Sequence, residues 1–172
     1  MHRMLAKMIL VLAVGTSVQD FEKRIAEYGK LRQSAEAQLP HLKPTDSPEA
    51  IAQREHAFAQ AIRGAREDAR QGDIFTPEIA AEFRRMLGDA MRGLRGARVE
   101  KSLQHAEPNA LKLHINESYP AGVPLQSTPP TILSSLPKLP KQLEYRIAGR
   151  DLVLLDVDAN LVIDYIVGAI PE

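Results

Sequence analysis

Twelve prolines divide this 172-residue chain into two unlike halves. Residues 17–106 hold four, three of them grouped at Pro40, Pro44 and Pro48, in a background rich in Ala, Glu and Arg. Residues 107–172 hold the other eight, seven of them between Pro108 and Pro140. Proline lacks a backbone donor and clashes with the preceding helical turn, so long helices belong to the first half. The expected fold is α+β. An antiparallel three-helix region fills residues 18–106, and residues 107–172 form a Pro-rich bridge and a small antiparallel β-meander.

Apolar residues Val18, Phe21, Ile25, Tyr28, Leu31, Ala35 and Leu39 recur at helical spacing, with Ser17 as the start and Pro40 as the stop. A second helix opens at Ser47 as cap, with Pro48 at the first helical position and Glu49 behind it. Its stripe is Ile51, Phe58, Ile62, Ala65 and Ala69, with Gly72 placed to end it. Thr76, Pro77 and Glu78 repeat the entry formula for a third helix. There Ile79, Phe83, Met86, Leu87, Ala90, Leu94 and Ala97 share a face, and Gly88, Gly93 and Gly96 weaken the later turns.

Beyond Glu107 the period becomes two. Leu111, Leu113 and Ile115 alternate with polar residues, which predicts a strand. The Pro-rich traverse that follows has room for one helical turn near Ile132. Three apolar runs, Leu143–Ile147, Leu152–Asp156 and Leu161–Ile166, are then separated by AGRD and VDAN, the turn chemistry of a meander.

Residues 1–17 carry Arg3 and Lys7, an apolar run from Met8 to Val14, and small residues at Ala13, Gly15 and Ser17. That is the layout of a cleaved secretory signal, and the run is shorter than the roughly 20 residues a bilayer span needs. Cleavage leaves 20 basic against 22 acidic side chains, and a periplasmic or secreted protein with no remaining membrane span. Balanced charge removes the electrostatic case for nucleic acid as a partner. The absence of cysteine excludes disulfides, thiolate metal sites and a Cys nucleophile.

Several patterns bear on chemistry. Asp156-Val157-Asp158-Ala159-Asn160 matches the start of a calcium loop, but Leu161 and Val167 stand where Gly and a bidentate Glu are required, so a hairpin turn is expected. His41, His56, His105 and His114 show no metal-ligand spacing, the serines lack nucleophile motifs, and no cofactor is expected. Asn116-Glu117-Ser118 has the form of a glycosylation acceptor. Arg85, Arg92, Arg95 and Arg98, with Arg84 and Lys101, lie opposite the apolar face of the third helix. They read either as a surface for an anionic partner or as a solvated face. Arg32 and Glu55 each interrupt an apolar stripe, and a hairpin turning near residue 43 sets them opposite one another as a structural ion pair.

The stretches LKPTDSPEAIAQREHA, GDIFTPEIAAEFRRML and residues 119–166 resemble a group of exported bacterial proteins of unknown function. Residues 139–164, with their Tyr145-Arg146 strand and their turn at Gly149 and Asp151, also resemble the C-terminal hairpin of small periplasmic proteins that assist nickel and cobalt efflux. The first resemblance implies no activity; the second implies metal handling. The expectation is a non-enzymatic envelope or periplasmic module that binds an envelope component or protein. A metal-homeostasis accessory is the alternative, and a hydrolase with an unrecognised site is the third reading.

Overall fold

Both inter-helix entries form as their sequences require. Ser47 Oγ accepts from Ala50 N–H at 3.3 Å, and Thr76 Oγ1 accepts from Ile79 N–H at 3.4 Å. Each hydroxyl satisfies one of the four amides that a helix start leaves without partners, and the proline that follows has no amide to satisfy. In the computed structural model, the described residues are 2–40, 46–92, 112–119 and 130–171. They form helices α1 (His2–Ala37), α2 (Pro48–Ala65) and α3 (Pro77–Met91), a single turn α4 (Pro130–Leu133), and strands β1 (Leu143–Ala148), β2 (Asp151–Asp156) and β3 (Leu161–Ile166). The strands make one antiparallel sheet in the order β1-β2-β3. The α+β arrangement, with helices first and meander last, is as expected.

Helix α1 packs on both α2 and α3. Phe21, Ile25, Tyr28 and Ala35 bury the expected stripe, against Phe58 and Ile62 of α2 and Ile79, Phe83 and Leu87 of α3. Only eight residues of the chain are aromatic, yet four of them gather at one point. Phe21 lies 4.9 Å from Phe83 edge-on and 5.7 Å from Phe75 in a stack, and Tyr145 of β1 closes the group at 6.0 Å from Phe83. Each such ring contributes about 2–3 kcal/mol by burial, and its contacts add specific geometry. This group joins the helices to the sheet.

The turns follow their residues. Gly149 takes φ +61 between β1 and β2, a conformation that L side chains seldom adopt. Asn160, the left-handed residue of the VDAN turn, has φ +47. Between Leu154 and Leu155 the β2–β3 register shifts by one residue, a bulge with Ile163 as the extra residue of β3. Leu161, Ile163 and Ile166 therefore all join the helix-facing core, along with the buried Asp164. Val162 packs in a second cluster with Leu113, Tyr119, Ala148, Val153 and Leu155.

Three expectations need correction. Helix α1 does not start at Ser17 but runs unbroken from His2. Helix α2 ends at Ala65, well short of Gly72. The Arg66 carbonyl that another helical turn would use takes a bond from Asn116 Nδ2 at 2.7 Å, and tertiary contact outweighs the propensity of residues 66–69. Residues 112–116 are not a strand. Asn116 turns the chain with φ +63, and among the described residues of this segment Ser118 alone forms a bridge, to Leu161. The later part of the third-helix stripe, Leu94 and Ala97, lies outside the described residues, as does Leu111.

Asp164 is fully buried. Its Oδ2 accepts from Ile74 N–H and Phe75 N–H at 2.8 Å each, and its Oδ1 from Gly72 N–H at 2.9 Å and Tyr165 N–H at 2.8 Å. Gly72 meets it with φ +93, so the α2–α3 connection wraps the carboxylate with amides. Asp164→Ala would orphan buried amides and should lower stability in urea unfolding by about 3 kcal/mol or more. Asp164→Asn, which keeps one acceptor oxygen, should lose clearly less.

Candidate functional site

Arg32, expected to face Glu55, instead reaches the sheet. Its Nε donates to Asp156 Oδ2 at 3.0 Å, and its terminal nitrogens meet Asp158 and, at 3.6 Å, Glu36. The guanidinium also lies over the Phe58 ring, 4.9 Å from its centroid. Glu55 is exposed, and among the described residues it forms no ion pair with Arg32. The two do line the same cavity of about 350 Å³, with Glu36, Arg54, Phe58 and Asp158 around them. The antiparallel hairpin does bring the two segments together. The partner expected for Arg32 was wrong: Asp156, with no exposure to solvent, faces Arg32 from the sheet, and a carboxylate so buried needs a charge partner.

Asp156 is that carboxylate, at 0% exposure. Its Oδ1 accepts from the amides of Asp158 and Ala159, both at 3.1 Å, which locks the VDAN turn. Its Oδ2 accepts from Tyr28 O–H at 2.7 Å as well as from Arg32. The calcium-loop fragment is thus a turn whose first acid is held within the fold. Burial, with the negative charge of Asp156 beside it, holds the Tyr28 hydroxyl far above its ordinary 10.0. Arg66 covers the other side of Tyr28, 5.4 Å from the ring centroid. It also donates to Asn116 Oδ1 at 3.0 Å and Ile163 O at 3.1 Å, and its burial lowers its pKa from 12.5. The Asn116 amide is engaged at both ends, with Arg66 as its partner each time.

The arginine face is described at Arg85 and Arg92; Arg95 and Arg98 lie outside the described residues. Arg85 bonds Glu82 Oε2 at 3.0 Å and Asp89 Oδ2 at 2.8 Å, and Arg92 pairs with Asp89. The hydrogen bond from Arg85 to Glu82 raises the arginine's pKa. The two pairs on Asp89 are exposed and contribute about 1 kcal/mol at most, so they leave that part of the face open to exchange partners, whereas Glu82 is buried.

His56 and Ser118 border one cavity of about 250 Å³, along with Glu55 and Arg63. Ser118 Oγ accepts from Arg63 at 3.4 Å, and among the described residues no bond joins it to His56. Nor do three His, Asp or Glu side chains converge there or elsewhere among the described residues in a geometry for a metal ion. Among these residues no helix is long and apolar enough to cross a membrane. No family model matches the chain, and neither the curated proteins nor the solved structures contain a match.

Sequence reasoning missed Asp156, Asp164, Tyr28 and Arg66 as one polar core. A signal was available: each aspartate stands inside a run of Leu, Val and Ile, where an unpaired charge is costly.

Two measurements follow. In a double-mutant cycle, Arg32→Met and Asp156→Asn should couple by about 1–3 kcal/mol, whereas Arg32→Met and Glu55→Leu should be additive. In an alkaline titration followed by tyrosinate absorbance, Tyr28 and Tyr145 should ionise last and together with unfolding, since burial raises both. The unfolded chain ionises first, so the stability these hydroxyls contribute is complete below pH 10.0 and falls as pH rises beyond it.

Proposed function

We propose that this chain is an exported, non-enzymatic interaction module of the bacterial envelope. The observation that carries the reading is the position of the core relative to the signal-like segment. Among residues 15 onward, whose burial is described, Phe21 is the first buried one, and Gly15 and Thr16 are exposed. The aromatic cluster and the Tyr28–Asp156–Arg32 contacts are made by residues beyond 17, so cleavage at 15 or 17 removes none of their members. The basic start, the apolar run Met8–Val14 and the small residues after it support export.

The polar chemistry supports binding over catalysis. Both fully buried carboxylates are bound to amides, a tyrosine or an arginine of the fold, which suits them to holding shape. Recognition then belongs to exposed side chains. An anionic component of the envelope would meet the Arg85 and Arg92 face by exchanging with Asp89.

Residues 1–20 fused to a reporter active only outside the cytoplasm should give activity. Mass spectrometry of the native protein should find an N-terminus near Thr16 or Val18. An intact Met1 would overturn the cleaved form of the reading, and a silent reporter would overturn export itself. The chain beginning at Thr16 should melt within a few degrees of the full chain.

A further inference from the structure

On the outer side of β3, Asn116 N–H donates to Val162 O and Val162 N–H donates to Glu117 O, both at 2.9 Å, so that edge is closed. The turn that leads into the strand, residues 157–160, faces α1 and α2 instead. Between these three elements lies the cavity of about 350 Å³ beside Arg32. That volume falls within the range of about 300–1,000 Å³ usual for small-molecule sites. Its apolar wall consists of Phe58, Val157 and Ile51. Ile51 is 50% exposed, so apolar surface at the cavity is still in contact with water.

Charge is unevenly shared around that wall. Arg32 and Arg54 face Glu36, Glu55 and Asp158, and Asp156 lies behind Arg32 as a further acid. Both cations are engaged within the fold. Arg32 holds Asp156, Asp158 and Glu36, and Arg54 donates to Pro40 O and stands 4.0 Å from Glu36. The acids are less fully engaged. Glu55 is exposed and has no hydrogen bond or ion pair among the described residues. Asp158, 55% exposed, holds Arg32 through Oδ2 only, which leaves Oδ1 to a ligand. The cavity therefore carries surplus negative charge beside apolar surface, and a cation with a hydrocarbon body complements both.

The arrangement of the acids narrows the choice. Glu36 stands on α1, Glu55 on α2 and Asp158 in the β2–β3 turn, and among the described residues no three acids converge as ligands of a metal ion do. Negative groups set apart around an apolar wall match positive groups set apart on a hydrocarbon chain. We propose that this cavity binds a small aliphatic diammonium ion, with one ammonium on Glu55, the other on Asp158, and the methylene chain against Ile51 and Val157. An ammonium suits these carboxylates better than a guanidinium, because its three donors rotate to meet oxygens on separate elements, whereas a guanidinium presents a fixed planar fork. Arg32 already occupies the Phe58 ring with such a fork. The site is independent of export and of the Arg85 face.

Calorimetry on the full chain at low salt tests this, with cadaverine, a five-carbon diamine, as the probe. Cadaverine should bind one per chain, and pentylamine, with a single charge on the same chain, should bind about tenfold more weakly or less. Added salt should weaken the diamine further. Glu55→Gln and Asp158→Asn should each reduce affinity for cadaverine by about tenfold, and Ile51→Ser by about threefold or more. Glu22→Gln removes the same charge from an exposed position that does not line the cavity, and it should leave binding unchanged. Glu55 makes no bond within the fold, so Glu55→Gln reads the site even where Asp158→Asn loosens Arg32. The absence of saturable binding into the millimolar range would overturn the proposal. So would undiminished binding by Glu55→Gln, an equal loss in Glu22→Gln, or pentylamine that binds as tightly as cadaverine.

Discussion

Between the α2–α3 connection and the last strand, the Asp164 carboxylate receives four backbone amides while having no exposure to solvent. A buried charge is tolerated only when its hydrogen-bonding capacity is filled, and here three of the four donors come from residues some ninety positions away in sequence. The contact sets where the α2–α3 loop sits. The loop in turn fixes Phe75 against Phe21 and starts α3 at Thr76. The aromatic cluster, the position of α3 and the closed edge of β3 all depend on that carboxylate.

Asp156 does for the first helix what Asp164 does for the third. It locks its own turn with one oxygen and holds Tyr28 and Arg32 of α1 with the other. Each aspartate thus joins one helix-side element to the sheet by directional bonds, and the apolar contacts around it supply the bulk of the burial. Aliphatic packing alone leaves several registers close in energy. Bonds that must be satisfied in a dry interior select one of them. The cavity beside Arg32 and the groove beside β1 are what remains where that packing ends.

Both helix entries were legible because capping is local. Ser47-Pro48-Glu49 and Thr76-Pro77-Glu78 act through residues within one turn of each other, and no distant contact competes with them. The meander was legible for the same reason, its turns lying at Gly149 and Asn160. The end of α2 was not, because Asn116 decides it from fifty residues away. Nor was the partner of Arg32. The helical wheel showed that the residue faces inward and needs a counter-charge, but its partner lies on a strand more than a hundred residues on.

By itself, the sequence determined the three long helices, the meander and their order: prolines disfavour long helices in the second half, and periodicity and caps act over a few residues. The tertiary structure alone decided the polar core. Strict alternation along Leu161–Ile166 would put Asp164 on the face opposite Leu161 and Ile163. The bulge at Ile163 brings all three to the helix side. A period of two carries no record of a one-residue register shift, since the shift is set by which amides are waiting on the facing loop.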